Sequence, residues 1–391
     1  MEPLPFESPV YVTRPFLPAI DEFTQGLKEI WENRWLTNNG PVLKRFQEKL
    51  SGFFETNNIS LFNNGTLALQ IGLQGMGISG EVITTPFTFV ATTHALYWNK
   101  IRPVFVDIEP EHYTIDPSAV EAAITPWTTA ILGVHVYGYP CQLHALADIA
   151  RRHNLRLIYD SAHAFGVKLY GKPICHFGDL SMFSFHATKL YHSIEGGMLT
   201  FKDSGLRQTF DYLKNFGFRN ELEVVMPGTN AKMNEMQALM GTLVLDHLSG
   251  LIERSRLIDA AYREHLKEVP GIKFPPLLSG HVDYNYAYEP VEIIETEFGR
   301  SRDALYEALK KFNIYTRRYF YPLLTDYACY RNLVVRDPLK TARAVSERIL
   351  TLPIYPDLSI KDVERICEAI RYIQKNSVKL SDSGMLAQSI A

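Results

Sequence analysis

The chain has few cysteines, little net charge and no long apolar runs. Its four cysteines are scattered over 391 residues without a CxxC pair. This usage is typical of reduced thiols in a cytoplasmic protein, and it predicts neither a disulfide framework nor a metal site. The net charge is only −3, and no Lys/Arg-rich run occurs. Nucleic acid is therefore not an expected partner.

No membrane segment or export signal is predicted. The sequence contains no stretch of about 18 apolar residues, the length that a spanning helix needs. The N-terminal stretch "MEPLPFESPVYVTRPFLP" has no basic start followed by an apolar core. Hydrophobic residues make up 46% of the chain and charged residues 21%, which is ordinary for a globular protein. We expect a cytoplasmic protein with no membrane partner.

Short apolar runs alternate with helical patterns between about residues 60 and 205. The predicted helices include "GTLALQIGLQGMG" and "CQLHALADIARRHN". Near-continuous apolar strands are typical of a sheet that is covered on both faces, and their alternation with helices predicts an α/β fold with a mostly parallel sheet. The predicted strands are EVITT (81–85), PVFVDI (103–108), TAILGVHV (129–136), LRLIYD (155–160), LSMFSF (180–185) and GMLTF (197–201).

The pattern changes after a long helix predicted at about residues 230–265. A strand, "YNYAYEPVEI", is followed there by three helical segments, "SRDALYEALKKFN", "LKTARAVSERIL" and "IKDVERICEAIRYIQ". We predict a large domain over residues 1–249 and a smaller α+β domain over residues 250–391. The polar tail from residue 375 onward is expected to be loosely ordered.

Two stretches of the large domain could bind a phosphorylated ring. "NNGTLAL" places Gly65 and Thr66 at a helix start, where free N–H groups suit a phosphate. The alternative is that Thr66 only caps the helix. In "TTPFTFVAT", Phe89 could stack on a planar ring, or it could belong to the core.

Two further stretches carry ionisable groups after apolar strands. Asp160 and His163 lie in "YDSAHAFG", and Ser184 and Lys189 lie in "SFHATKLYHSIEGGM". Ligand sites of open α/β sheets lie at such strand ends. Asp160 could hold a protonated ring nitrogen or cap a turn, and Lys189 could be a nucleophilic amine or a solvated loop lysine.

A phosphate site, an aromatic ring, a carboxylate and a lysine together make up a pyridoxal phosphate site. The lysine forms a Schiff base with the cofactor, and the aspartate keeps the pyridine ring protonated so that it accepts electrons. No single stretch is specific, but one explanation covers all four. We therefore predict that the chain binds pyridoxal phosphate.

In the order found here, these motifs resemble the DegT/DnrJ/EryC1/StrS group of nucleotide-sugar aminotransferases. The resemblance covers about residues 8–372 and includes "WLTNNGP", "VHVYGYP", "GDLSMFSFHATK", "GTNAKMNEMQALMG" and "YTRRYFYPLL". It implies fold type I, the aspartate-aminotransferase-like fold of pyridoxal phosphate enzymes.

The resemblance implies a role for each matching residue. Lys189 would be the Schiff-base lysine and proton shuttle, and Asp160 the partner of the pyridine nitrogen. Asn230 is similar to the asparagine that reaches the phosphate from the second subunit, which implies a homodimer with shared active sites. The other implied cofactor residues are Gly65, Thr66, Phe89, His163 and Ser184. The implied substrate residues are Thr37, Asn39, His186, Arg318 and Tyr319.

Three positions depart from the pattern of the resemblance. Asn64 stands where many relatives have serine, Lys232 where arginine is common, and Ile194 where glycine is frequent. A lysine at position 189, where the group's 3-dehydratases carry histidine, favours transamination.

The resemblance implies transfer of an amino group from L-glutamate to a nucleotide-linked keto-sugar, with pyridoxamine phosphate as the intermediate cofactor form and 2-oxoglutarate as co-product. The expected sugar is dTDP-4-keto-6-deoxy-D-glucose, aminated at C4 for O-antigen or another surface polysaccharide. The alternatives are amination at C3, a UDP- or GDP-linked keto-sugar, a non-catalytic sensor that binds pyridoxal phosphate, and an assembly scaffold.

Overall fold

The computed structural model describes residues 2–333 and 335–376. The predicted loose tail lies, from residue 377 onward, outside the described residues. The helices are α1 Ile20–Asn33, α2 Pro41–Phe53, α3 Gly65–Gly75, α4 Val90–Trp98, α5 Pro117–Ala122, α6 Leu143–Arg152, α7 Leu206–Leu213, α8 Glu235–Leu266, α9 Glu295–Phe298, α10 Arg302–Lys310, α11 Lys340–Arg348 and α12 Ile360–Lys375.

Strands alternate with these helices in the first half of the chain and are shorter in the second. They are β1 Val10–Tyr11, β2 Ile59–Phe62, β3 Glu81–Thr84, β4 Arg102–Phe105, β5 Thr128–Val134, β6 Arg156–Asp160, β7 Lys168–Leu169, β8 Lys172–Pro173, β9 Leu180–Ser184, β10 Gly197–Phe201, β11 Phe218–Asn220, β12 Glu223–Val224, β13 Ile272–Lys273, β14 Val282–Asp283, β15 Glu289–Ile293, β16 Ile314–Tyr315 and β17 Ile349–Leu352.

The central sheet has seven strands in the order β2-β10-β9-β6-β5-β3-β4. Only β10 runs antiparallel to its neighbours, and the other pairings are parallel. Every strand predicted between residues 81 and 201 is present. The predicted mostly parallel sheet with flanking helices is therefore confirmed.

The two faces of this sheet are both buried, which explains why its strands are apolar throughout. In β3, Ile83 packs into a core formed with α2, α6 and the first half of α8, whereas Val82 packs on the other face with α3, α4 and α7. Successive strand residues point to opposite faces, so a strand covered on both sides cannot alternate apolar with polar residues.

Helix α8 connects this layered unit to a second core. Its start is fixed by a capping box between Asn234 and Gln237. Residues of α8 up to Leu251 belong to the large core, and those from Ile258 onward pack with β15, β17, α10 and α12. Phe6 also packs in this second core. The division between residues 249 and 250 stays a prediction.

One predicted strand is much shorter in the structure. Of "YNYAYEPVEI", only Glu289–Ile293 forms a strand. Tyr286 has a φ of 51°, which interrupts extended backbone. The Asn285 amide donates to the carbonyls of His163 and Phe165, at 2.8 and 3.0 Å. The segment before the strand therefore lies against the large unit and places Tyr288 near the edge of the central sheet.

The parallel strands all end at one edge of the sheet. β2, β3, β4, β5, β6 and β9 finish there, and the antiparallel β10 begins there. Such an edge gathers the loops that follow several strands, and ligand sites of α/β sheets form at this place. None of the helices in the described part of the chain is long and apolar enough to cross a membrane.

Candidate active site

A cavity of about 300 Å³ lies at this edge of the central sheet. The predicted site residues that line it are Gly65, Thr66, Phe89, Asp160, His163, Ser184, His186, Lys189 and Tyr319. A groove of about 1200 Å³ lies elsewhere on the surface and includes Asn39, but neither Lys189 nor Asp160. The smaller cavity is the candidate active site because it holds the reactive groups.

Asp160 is the last residue of β6, and its carboxylate is buried in the floor of the cavity. Its Oδ2 accepts a hydrogen bond from the Thr92 hydroxyl at 2.7 Å, and its Oδ1 accepts one from the Ala162 N–H at 3.1 Å. Burial raises the pKa of this carboxyl, while the two donors and the charge of Lys189 oppose the rise. The carboxylate can thus receive a cationic N–H from the cavity.

The amine of Lys189 lies in the same cavity, five residues beyond the end of β9. Its Nζ donates a hydrogen bond to the Tyr288 hydroxyl at 3.0 Å. Burial lowers the pKa of Lys189 to about 8, against the opposing influence of Tyr319 and Asp160. A lysine with this pKa has an appreciable free-base fraction near neutral pH, so its amine can act as a nucleophile and as a proton carrier.

His163 is buried beside Tyr288, with their ring centroids 4.5 Å apart. The backbone N–H of Tyr137 donates to its Nδ1 at 3.1 Å, so the ring proton of the neutral imidazole lies on Nε2. Burial, and then the charge of Lys189, hold the pKa of His163 well below its usual range. The imidazole therefore stays neutral and offers one N–H donor.

Residues 63–66, the phosphate loop, join β2 to the N-terminus of α3. The Asn64 side chain accepts from the Leu67 N–H at 2.8 Å and caps the helix. Asn64 is therefore the N-cap residue of α3, and the alternative prediction that Thr66 caps this helix is wrong. The N–H groups of Gly65 and Thr66 remain at the helix start, where the helix dipole favours an anion.

Close contacts leave no room for side chains around the phosphate loop. A Cβ on Gly65 would lie 3.1 Å from the Cβ of Ser184, and a Cβ on Gly197 would lie 2.5 Å from the carbonyl carbon of Asn64. The loop therefore lies directly on β9 and β10. This brings Ser184, at the end of β9, to the same part of the cavity.

Phe89 and His186 line the mouth of the cavity. Phe89 is the residue just before α4, and its side chain is 57% exposed in the single chain, so it is free to cover a ring bound in the cavity. His186 is exposed as well, and its Nδ1 lies 2.7 Å from the Thr188 hydroxyl. Both positions suit contact with a ligand that enters the cavity.

Four predicted residues do not line this cavity. Asn230 is exposed, and its side-chain oxygen accepts from Lys232 Nζ at 2.8 Å. Thr37 and Asn39 are exposed in the loop before α2. Arg318 forms an ion pair with Asp303 at 2.9 Å. Their roles toward cofactor and substrate stay predictions.

Several functional candidates escape notice in the sequence. Tyr288 lies in a segment whose pattern predicts a strand, and Thr92 lies in the apolar first turn of α4. Gln237 donates from Nε2 to the carbonyls of Asn63 and Glu195, at 3.2 and 2.6 Å, and so supports the phosphate loop. The capping-box spacing Asn-x-x-Gln in "NEMQ" is the sequence signal that could identify Gln237.

The residues of the cavity fit pyridoxal phosphate. Free helix N–H groups and Ser184 suit its phosphate, the buried carboxylate of Asp160 suits its ring nitrogen, and the Lys189 amine suits its aldehyde. Asn64, where many relatives have serine, still caps the start of α3. Ile194, where relatives often have glycine, has a φ of 69°, a backbone conformation that favours glycine.

Comparisons with known proteins agree with this assignment. The DegT/DnrJ/EryC1/StrS aminotransferase family matches residues 19–371. The chain is 44% identical over 368 residues to a dTDP-4-amino-4,6-dideoxy-D-glucose transaminase of Shigella dysenteriae, covering 94% of this chain and 100% of that protein. It is also 44% identical over 366 residues to a protein of that name from Escherichia coli, covering 92% and 97%. The crystal structure of DesI in the presence of its TDP-sugar product superposes with a TM-score of 0.92 at 36% identity, covering 98% of this chain and 97% of DesI.

Proposed function

The chain belongs to the DegT/DnrJ/EryC1/StrS aminotransferase family, and on this premise we propose that it aminates dTDP-4-keto-6-deoxy-D-glucose at C4 with L-glutamate as donor. The predictions of family, fold type I and enzyme class are confirmed: the protein is an aminotransferase, and pyridoxal phosphate is its cofactor. The product would be dTDP-4-amino-4,6-dideoxy-D-glucose, a precursor of O-antigen or another surface polysaccharide.

The observation that carries the proposal is the half-buried Lys189, with an amine of lowered pKa, in one cavity with the buried carboxylate of Asp160. A protein that only bound the cofactor would need neither a lysine of lowered pKa nor a carboxylate at the ring nitrogen. The choice of sugar is supported by the 44% identity to two proteins named for that product.

Lys189 would hold the cofactor and then move the proton. When bound, pyridoxal phosphate supplies a carbonyl carbon that captures the amino group and a ring that accepts the electron pair released at the reacting carbon. With the cofactor bound, the amine of Lys189 would act as the general base for the α-carbon proton of glutamate and then as the general acid that gives this proton up. The same amine reverses these transfers when the keto-sugar is aminated, and 2-oxoglutarate leaves between the two halves.

The other cavity residues would orient the cofactor. The carboxylate of Asp160 would keep a proton on the ring nitrogen, and neutral His163, whose Nδ1 already accepts from Tyr137, would offer its Nε2–H to the phenolic oxygen. The phosphate loop and Ser184 would bind the phosphate. Phe89 would cover one face of the ring.

The active site would be shared between two subunits of a homodimer. No arginine occurs among the described residues that line the cavity, and the amine of Lys189 is used by the cofactor. A dianionic nucleotide diphosphate needs further cations or N–H donors. Asn230 is exposed and Lys232 half-buried on a loop that does not line the cavity of its own chain, and we infer that this loop faces the cavity of a second copy.

A complementation experiment tests the shared site. Lys189→Ala and Asn230→Ala are each prepared as inactive or weakened homodimers and then co-expressed with different tags. If the sites are shared, mixed dimers contain one site that has both native residues, and activity returns. Mixed dimers without recovered activity would contradict the shared site, while leaving the chemistry at Lys189 intact.

Product analysis by NMR tests the reaction. The protein is incubated with pyridoxal phosphate, L-glutamate and dTDP-4-keto-6-deoxy-D-glucose, and the carbon that carries nitrogen is assigned. An equatorial amine at C4 is the expected result. An amine at C3, or turnover only with a UDP- or GDP-linked keto-sugar, would replace the substrate but keep the activity. A sensor or scaffold would give no product with any of these sugars and would keep its properties in Lys189→Ala.

We propose a cytoplasmic location for the enzyme. All four cysteines are free thiols in the structure, and Cys141 and Cys367 are buried. This is the state expected in a reducing compartment. Fractionation of the native host with a thiol-reactivity assay on the purified protein measures both the location and the redox state.

A further inference from the structure

Two threonine hydroxyls form a chain that ends on Asp160. The hydroxyl of Thr92, in the first turn of α4, lies 2.7 Å from Oδ2 of Asp160. The hydroxyl of Thr88 lies 2.9 Å from that of Thr92. Thr92 is fully buried and Thr88 is 3% exposed, so water does not compete for these contacts.

The direction of the chain follows from counting protons. A hydroxyl carries one proton, and that of Thr92 goes to the ionised carboxylate of Asp160. The oxygen of Thr92 then accepts the proton of Thr88. Both hydroxyls therefore donate toward the carboxylate, and the second bond polarises the first.

This arrangement favours one protonation state of the cofactor site. A proton shared between a pyridine nitrogen and Asp160 can lie on the nitrogen, giving an ion pair, or on the carboxyl, giving two neutral groups. Burial favours the neutral pair, because it penalises charge. A hydroxyl that donates to the carboxylate favours the ion pair, in which the ring is the better electron acceptor.

We infer that Thr92, supported by Thr88, is a positioning residue that keeps the proton on the ring nitrogen by donating to Oδ2 of Asp160. Thr92 does not line the cavity and does not touch the cofactor, whereas Thr88 and Asp160 line it. The hydroxyl acts through Asp160. Its loss should leave the cofactor bound but shift the shared proton toward the carboxyl.

The test uses Thr92→Val, which keeps the shape of the side chain and removes the hydroxyl. Thr93→Val is the matched control, since Thr93 is the next residue of α4, is fully buried, and has a hydroxyl without a hydrogen-bond partner among the described residues. Thr92→Ser restores the donor. Thr88→Val removes only the second bond.

The direct readout is the nitrogen NMR shift of the ring in holoenzyme loaded with nitrogen-15-labelled pyridoxal phosphate. We expect Thr92→Val to move the shift toward the neutral ring, Thr88→Val to move it less, and Thr93→Val and Thr92→Ser to keep the wild-type value. Since a hydrogen bond to a charged group changes an equilibrium by about tenfold to a hundredfold, kcat of Thr92→Val should fall by about that factor, with a smaller change in KM.

Wild-type ring protonation in Thr92→Val would overturn the inference, and so would an equal shift in Thr93→Val. If Thr92→Val does not fold, Thr88→Val decides the matter, because it leaves Thr92 in place. An unchanged nitrogen shift and kcat in Thr88→Val would then count against the chain of hydroxyls.

Discussion

Replacement of Glu235 tests how the loop before α2 is held in place. Gly40, at the N-cap of α2, has no side chain that could cap the helix. The buried carboxylate of Glu235, 193 residues along the chain, accepts instead from the N–H groups of Val42 and Leu43, at 2.8 and 3.2 Å. The N–H of Glu235 also donates to the carbonyl of Leu36 at 3.0 Å. One residue thus fixes both ends of the loop that carries the predicted substrate contacts.

The magnitude follows from the two N–H groups that Glu235→Ala leaves without an acceptor. Each buried donor that loses its partner costs about 1–3 kcal/mol, so the free energy of unfolding should fall by about 2–6 kcal/mol. Glu235→Gln keeps one acceptor oxygen and should cost about half as much. A small residue is required at Gly40, because a Cβ there would lie 2.5 Å from the Glu235 carboxyl carbon.

The assay is urea unfolding at fixed protein concentration, with KM for the nucleotide sugar measured in parallel. Glu253→Ala is the control: it is the same substitution in the same helix, at an exposed carboxylate paired with Arg256. That change should cost no more than about 1 kcal/mol. Equal midpoints for Glu235→Ala and Glu253→Ala would refute the role of Glu235. If Glu235→Ala is destabilised but its KM is unchanged, Glu235 stabilises the fold, and the loop before α2 does not contribute to binding of the nucleotide sugar.

Three further predictions concern the cavity. Lys189→Ala should lose turnover yet remain folded and elute from gel filtration at the wild-type volume; retained activity in a product assay would refute the proposed chemistry. Cofactor-free protein should form its coloured cofactor complex faster as pH rises, with a midpoint near 8, because only the free amine of Lys189 reacts. Tyr288→Phe should lower this midpoint, because the protonated amine loses a hydrogen-bond acceptor. A rate that does not change with pH would count against the lowered pKa of Lys189. Gly197→Ala should weaken cofactor binding by about 1–3 kcal/mol, because its Cβ would lie 2.5 Å from the Asn64 backbone. Gly52→Ala, whose Cβ meets nothing within 4 Å, is the control for this substitution in a titration of cofactor binding.

Local patterns in the sequence determined the central sheet and the residues at its edge. The apolar runs that end at Asp160 and Ser184 are strands, and Gly65 opens a helix. Parallel strands end at a common edge, so a correct strand pattern is enough to bring these residues together. The prediction of pyridoxal phosphate followed from the combination of a phosphate site, an aromatic ring, a carboxylate and a lysine, which this cofactor needs together.

Only the tertiary structure decided which side chains support that edge. Tyr288 reaches Lys189 from 99 residues away, Glu235 caps a helix 193 residues earlier in the chain, and Thr92 meets Asp160 across 68 residues. These contacts depend on how the helices and the second core pack against the sheet, and no periodicity within a short window contains that information. The sequence determined the reactive groups because they follow local strand ends, whereas their protonation and orientation depend on burial and on partners that only the folded chain brings near.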